Sequence, residues 1–507
     1  MRCFFVVAEQ RKSLPGCLNR PLRQPPAAVL HAIKRCFQLR FTASMAGPLA
    51  SCNFLIQINA AMTSHPVSFS TRPIGPIRWV GMAGVLLAGA PVWSQTASGS
   101  AADAVQRFDG GNTAWMLVAT VLVLLMTIPG LMLFYSGMLR TKNALSVVAH
   151  IFAAAAVVTL AWAMIGYSIA FTTGNGFYGG LSRLFAEGLI GANVTAHPIA
   201  PTIPESAFFL FQLSFAVIAF AIITGSTVER MRLGATVIFA ALWTILVYAP
   251  IAHWVWQPSG WLAAMGHMDF AGGTVVHVAA GTSGLVAAVM VGPRKGFGTE
   301  PMIPHNLLIT VIGAGLLWAG WFGFNAGSAF EAGPRAVGAL LATQVAASTS
   351  AFVWGLCEYI KRGQMSVLGM ATGAIAGLIA VTPASGFVGI LGALGIGCTA
   401  SVVCFLAVTN FKSLTGIDDT LDVFALHGLG GLVGTVLVPV FAIAAIAPVT
   451  TSAWTNTIGA LAVMAYAASM TAVILFVIKI TIGLRVDEKS ERMGLDISQH
   501  GEMVAPN

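Results

Sequence analysis

The chain has 507 residues, 57% of them hydrophobic and 9% charged, with a mean hydropathy of +0.82. Soluble domains carry about a quarter charged residues, so this composition excludes a water-soluble globular protein and leaves an integral membrane protein. The formal charge of +8 is no nucleic-acid footprint, because residues 1–61 hold eight Lys/Arg against one Glu and account for +7 of it.

Residues 1–61 show no sustained hydrophobic period and read as a basic leader outside the mature protein. Residues 62–100 resemble a secretory signal peptide: Met62 opens it, Arg72 and Arg78 form a positive region, Trp79 to Val92 an apolar one, and small polar residues follow from Ser94 to Ser100. Over 101–482 come eleven candidate spans, at about 113–139, 144–171, 206–228, 233–257, 273–293, 305–328, 336–357, 365–382, 385–410, 423–448 and 453–482, each near the 20 or so residues a bilayer demands. Pro383 divides the uncharged run 363–411, and the turn from Ala447 to Thr451 divides the run 423–478. Residues 483–507 form a polar tail.

Charge placement orients the spans. Arg140 and Lys142, Arg230 and Arg232, Arg294 and Lys295, Lys361 and Arg362, and Lys412 fall in alternate connections, while the opposite connections offer Arg183 and Arg335. The positive-inside rule therefore predicts a periplasmic mature N-terminus and a cytoplasmic tail in a bacterial inner membrane, and a cleaved signal peptide demands the same. Of the seven cysteines, Cys3, Cys17, Cys36 and Cys52 lie in the leader, and Cys357, Cys398 and Cys404 in hydrophobic segments without metal spacing. No disulfide framework, metal or cofactor is expected.

Two patterns occur twice. Gly130-x3-Phe134-Tyr135-x-Gly137 on span 1 is matched by Gly320-x3-Phe324-Asn325-x-Gly327 on span 6, and His277-x3-Gly281-x2-Gly284 on span 5 by His427-x3-Gly431-x2-Gly434 on span 10. Each histidine thus shares a helix face with a groove of missing side chains. The copies are five spans apart, so the halves (about 113–293 and 305–448, with an eleventh helix at 453–482) are inverted repeats, which in transporters meet at a midplane site. An ionisable side chain inside a span is a functional residue by default, and inversion brings His277 and His427 within reach of a shared hydrogen bond. The spans hold almost no other charge, so no carboxylate ring lines a path. A dry, neutral path suits a neutral solute, with any proton travelling separately through histidine. Phe134, Phe211, Phe215, Trp256, Trp321 and Phe324 are packing residues or, as a cluster, a cation–π site. Asp269 and Asp422, just before the two histidines, are expected to cap spans 5 and 10, with Asp269 lending negative potential to an outer vestibule. A rival reading makes the two histidines axial ligands of a haem.

At these residues the sequence resembles the ammonium transporter family (Amt/Mep/Rh), over roughly residues 110–503. The motifs are Ile128-Pro129-Gly130 through Phe134-Tyr135, Asp269 through His277, Gly320 through Ser328, Asp422-Val423-Phe424 with His427-Gly428, and the tail from Gly483 to Glu502. The resemblance implies the ammonium-transporter fold of eleven transmembrane helices, assembled as a homotrimer with one pore per subunit. It implies an outer ammonium site at Phe215, Trp256 and Ser328 backed by Asp269, a gate at Phe215 and Phe324, and a pore past His277 and His427 lined also by Phe134, Trp321 and Phe211. Filled vestibule positions favour the bacterial Amt branch, while Leu213 stands where bacterial members often have glycine. The substrate implied is ammonium or ammonia, with the proton either crossing separately or returning outside; no catalytic residues are expected. The tail resembles the segment where PII signalling proteins dock, so a sensor acting through such a partner is the alternative.

Overall fold

Long uncharged runs cannot leave backbone polar groups unpaired in an apolar medium, and the helix is how a single segment satisfies its own. The computed structural model describes residues 108–191, 193–447 and 451–504. The predicted leader, the signal peptide and its cleavage point lie outside them. The main helices are α1 Gly110–Met138, α2 Thr141–Phe171, α3 Glu205–Thr227, α4 Leu233–Ala264, α5 Gly273–Val291, α6 Leu307–Gly327, α7 Pro334–Arg362, α8 Val367–Val381, α9 Ile390–Thr415, α10 Phe424–Phe441 and α11 Ala453–Thr481, followed by the short α12 Glu488–Met493. By length and composition, ten of these are long and apolar enough to cross a membrane among the described residues.

The helix at the eighth predicted span, α8, is apolar but has only 15 residues, about 22 Å of rise. Residues 382–388, which follow it, are all buried, and non-helical backbone at membrane depth is tolerated where protein covers it. That burial also explains why α9 begins at Ile390 and not at the predicted residue 385. Helix α10 stops at Phe441, short of the predicted 448. Pro439 has no N–H to give the Thr435 carbonyl, and Asn456 of α11 supplies the donor at 2.8 Å.

The two halves pack alike. Contacts of α1 with α3, α3 with α5 and α2 with α4 have counterparts in α6 with α8, α8 with α10 and α7 with α9. Across the pseudo-dyad α1 meets α6 and α5 meets α10. The reason lies in the repeated glycines. A Cβ on Gly281 would collide with the backbone of Gly428 beside His427, and one on Gly431 would come 2.8 Å from the Gly273 carbonyl and 3.0 Å from His277 Cβ. Each His-x3-Gly segment therefore seats the other's histidine turn, backbone against backbone.

The end of the bundle that carries the tail is polar. Arg294 joins Asp418 at 2.8 Å and Glu229 at 3.3 Å, and Arg140 reaches Glu229 at 2.6 Å. Burial pushes both carboxyls up, but the arginine hydrogen bonds and charges outweigh it and hold Glu229 and Asp418 below the ordinary carboxylate range. These bridges are thus formed at neutral pH and are lost only as pH falls through those depressed values. The tail folds back onto this end: the Asp496 carboxylate accepts from Leu145 N at 3.0 Å and Ser146 N at 2.7 Å, and Leu495 N donates to Asn143 Oδ1 at 2.8 Å.

Candidate functional site: a vestibule, a stacked pair and a histidine-lined conduit

At the end opposite the tail, α4 is interrupted after Trp256, where Gln257 is extended, before its last short turn Trp261–Ala264. The loop returns through Asp269, whose carboxylate accepts from Gly272 N, Gly273 N, Thr274 N and Val275 N at 2.7 to 3.1 Å. These are the orphan donors of a helix start, and Gly272, at φ +106°, makes the turn that aims them. Asp269 is thus the expected cap, and its own carbonyl accepts from Trp256 Nε1 at 3.0 Å. Removing the side chain strands four buried N–H groups, each worth about 1–3 kcal/mol. Asp269→Ala is expected to melt well below wild type in detergent, with Asp269→Asn between them; equal melting of all three would remove the cap from the account.

Asp422 does not cap α10 as expected. Asp419 Oδ2 accepts from Phe424 N at 2.7 Å, while the Asp422 carboxylate turns to Lys412 at 2.9 Å. Asp422 has φ +57°, a left-handed backbone that swings its side chain out of the capping direction.

Trp256 meets Phe215 of α3 edge-on, with centroids 5.9 Å apart and planes at 76°. Phe215 in turn stacks on Phe324 of α6 at 4.0 Å and 12°. Ser328 ends α6 and donates its hydroxyl proton to the Phe324 carbonyl at 2.9 Å, leaving the oxygen lone pairs as acceptors. Beyond the stacked pair, His277 lies 5.9 Å from Phe324 and 5.3 Å from Trp321, both roughly parallel. Trp321 is fixed by Nε1 donating to Thr382 Oγ1 at 2.9 Å.

His277 and His427 lie with Nδ1 atoms 3.2 Å apart. Such a contact is a hydrogen bond only if one ring carries the Nδ1 proton and the other does not, so two imidazolium rings cannot form it. Both histidines sit on π-helical turns, Gly273–Val278 and Phe424–Gly428. The extra residue in such a turn re-aims a side chain, a frequent device at functional sites. Both rings border a cavity of about 20 Å³, little more than one water-sized molecule needs. Its wall is apolar apart from Tyr135, Trp321 and the histidines, and includes Phe134, Leu131, Ile218 and Leu426.

Of the five residues expected to line the pore, Phe134, Trp321, His277 and His427 border this cavity. Phe211 does not. One turn before Phe215, its ring packs 4.8 Å from Phe215 and 5.9 Å from Phe330. Sequence reasoning missed Met126, Leu131, Ile218, Ile222, Leu317, Ile375 and Leu426, because apolar residues on apolar helices carry no mark of which face they present, and it missed Leu421 in the connection between α9 and α10. Tyr135 had such a mark, its place in the duplicated Gly-Phe-Gly pattern, and donates to the Ile222 carbonyl at 3.1 Å. Crowding around the histidines argues against the haem reading. The two imidazoles touch through Nδ1 at 3.2 Å with no gap between them for a macrocycle, and Trp321 and Phe324 stack along His277.

A bundle of two similarly packed halves, enclosing a small apolar cavity bordered by paired histidines, defines a multi-pass membrane transporter of a very small solute. The Ammonium Transporter Family model matches residues 114–505, and the chain belongs to that family. An ammonium transporter of Aquifex aeolicus is 44% identical over 433 residues, covering 84% of this chain and 99% of its own. One from Bacillus subtilis is 42% identical over 401 residues, covering 77% and 98%. Among solved structures, Saccharomyces cerevisiae Mep2 superposes with a TM-score of 0.72 at 35% identity, covering 79% of this chain and 92% of that chain. A chain described as a sensor Amt protein superposes with a TM-score of 0.71 at 28% identity, covering 77% and 98%. The protein is an ammonium/ammonia transporter, not an enzyme.

Proposed function

We propose that ammonium docks where Trp256, Phe215 and Ser328 meet, gives up its proton near the Phe215–Phe324 pair, and crosses as ammonia past His277 and His427. The observation that carries this reading is the unbroken series of ring contacts from Trp256 through Phe215, Phe324 and His277 to His427, ending in the apolar cavity. Aromatic faces attract a small cation by about 0.5–2 kcal/mol each, and the Ser328 oxygen accepts an N–H. Beyond the stack nothing compensates a charge: transferring such an ion into an apolar medium costs of order 20 kcal/mol. A cation therefore stops at the vestibule while the neutral base fits the conduit.

An ammonium jump applied to liposomes holding the purified protein tests this. A transient current supports separate proton transfer, internal alkalinisation without current supports passive ammonia conduction, and absence of both signals removes the mechanism. Trp256→Leu keeps a smaller apolar side chain but removes the ring face and its N–H donor, so half-saturation for ammonium is expected to rise by about 2- to 30-fold, the equivalent of one cation–π contact. Unchanged half-saturation would place Trp256 outside the site.

The same reading extends to the whole chain: residues 1–61 and the signal peptide 62–100 removed, the protein in a bacterial inner membrane, the Trp256 end periplasmic and the tail cytoplasmic, and three copies forming a homotrimer. The alternation of basic connections supports the orientation. A second reading, an ammonium sensor acting through a PII-type partner, is favoured by the likeness to a sensor Amt chain and by the docked tail. Capture of purified PII protein by the detergent-solubilised transporter supports that reading, and failure to bind in the presence or absence of nucleotide removes it.

A further inference from the structure

Every residue bordering the conduit cavity lies in a helix except Leu421. It belongs to the segment 416–423 that joins α9 to α10, and is 5% exposed. Leu421 and Val423 pack into the core, and a set of polar contacts holds the rest of the segment. Arg230, itself buried, donates to Thr420 Oγ1 and to the Asp418 carbonyl, both at 2.6 Å. Arg294 grips the Asp418 carboxylate through Nε and Nη2, both at 2.8 Å. Lys412 reaches the Thr420 carbonyl at 3.1 Å and the Asp422 carboxylate at 2.9 Å. Leu421 N donates to the Gly225 carbonyl at 3.2 Å, and the next residue is the left-handed Asp422. A non-glycine residue keeps that backbone only where its surroundings impose it. The three basic side chains thus converge on the residues flanking one leucine.

The geometry points to Leu421 as a specificity-determining plug: a charge-pinned apolar side chain that closes the tail-end mouth of the conduit to water and hydrated cations. This rests on the ammonia-conduction reading above. The physical need is local. Asp418, Asp419, Asp422, Arg230, Arg294 and Lys412 gather within a few residues or one hydrogen bond of the cavity wall, and charged groups draw water. An apolar constriction admits a small neutral solute and excludes hydrated ions by dewetting. Pinning by ion pairs makes Lys412 a positioning residue, since it touches Thr420 and Asp422 and borders no part of the cavity.

The test uses the full chain in proteoliposomes on a solid-supported membrane, with separate jumps of ammonium chloride and potassium chloride. Wild type is expected to respond to ammonium and not to potassium. Leu421→Ala is expected to gain a potassium current at least tenfold above wild-type background. Leu421→Phe is expected to lose at least fivefold of the ammonium response, and Leu421→Met to behave as wild type. Lys412→Met is expected to admit potassium with the plug itself intact. Melting temperatures of the variants certify that they are folded; if the alanine variant does not accumulate, Leu421→Val carries the same comparison. A folded alanine or valine variant that excludes potassium and responds to ammonium as wild type overturns the proposal. A wild type silent to ammonium in both current and internal pH overturns the conduction mechanism instead.

Discussion

Gly281→Val is expected to abolish ammonium-driven transport and to lower the melting temperature. The added Cβ would lie inside contact distance of Gly428 N and Cα and 2.9 Å from the His427 carbonyl carbon. Those atoms are backbone and cannot rotate away, so α5 and α10 must separate. Overpacking a tight core costs about 1–3 kcal/mol even where side chains can move, and here the separation falls on the turn that holds His427 against His277. Loss of transport is therefore expected even in the fraction that folds. Gly315→Val is the control, because a Cβ there meets nothing within 4 Å; it should transport and melt as wild type. Wild-type flux from a folded Gly281→Val would mean that the interlocked glycines do not set the conduit.

His427→Ala is the second large effect. The His277 Nδ1 loses its only partner at 3.2 Å, and His277 Nε2 already has none. The buried imidazole is then left unsatisfied, at about 1–3 kcal/mol. The deleted ring also opens the cavity beyond one molecule's volume, and a roomier site with an unpaired polar group recruits water. The ammonium-evoked response is expected to fall by about tenfold or more, the equivalent of roughly 1.4 kcal/mol, and its dependence on the proton gradient to change. His277→Ala removes the same hydrogen bond from the other side and should agree in direction. Wild-type flux and wild-type proton coupling in both variants would leave the pair a packing contact.

How legible all this was in the sequence varied with the physics involved. The spans were legible because a bilayer imposes a length and an absence of charge, and both are one-dimensional. The inverted halves were legible because Gly130 and Gly320, and His277 and His427, recur in matching order. The Asp269 cap was legible because capping is local, a carboxylate reaching N–H groups three to six residues on. At Asp422 the same local argument failed: Lys412, ten residues away in sequence, claims that carboxylate, and Asp419 caps in its place. Phe211 is absent from the cavity wall for a related reason. Helical spacing puts it on the Phe215 face, but only the fold sets its ring against Phe330 and Gly327.

By itself the sequence determined that this chain is helical, membrane-embedded, internally repeated and poor in charge, with a histidine in each half. Those properties follow from composition, period and repetition along a line. Only the tertiary structure decided that the two imidazoles touch, that Phe215 stacks on Phe324 with Trp256 edge-on to it, and that a leucine from a charged loop borders the cavity. Each is a contact between segments far apart in the chain, and its distance is fixed by how closely glycine lets backbones approach, which no single segment contains.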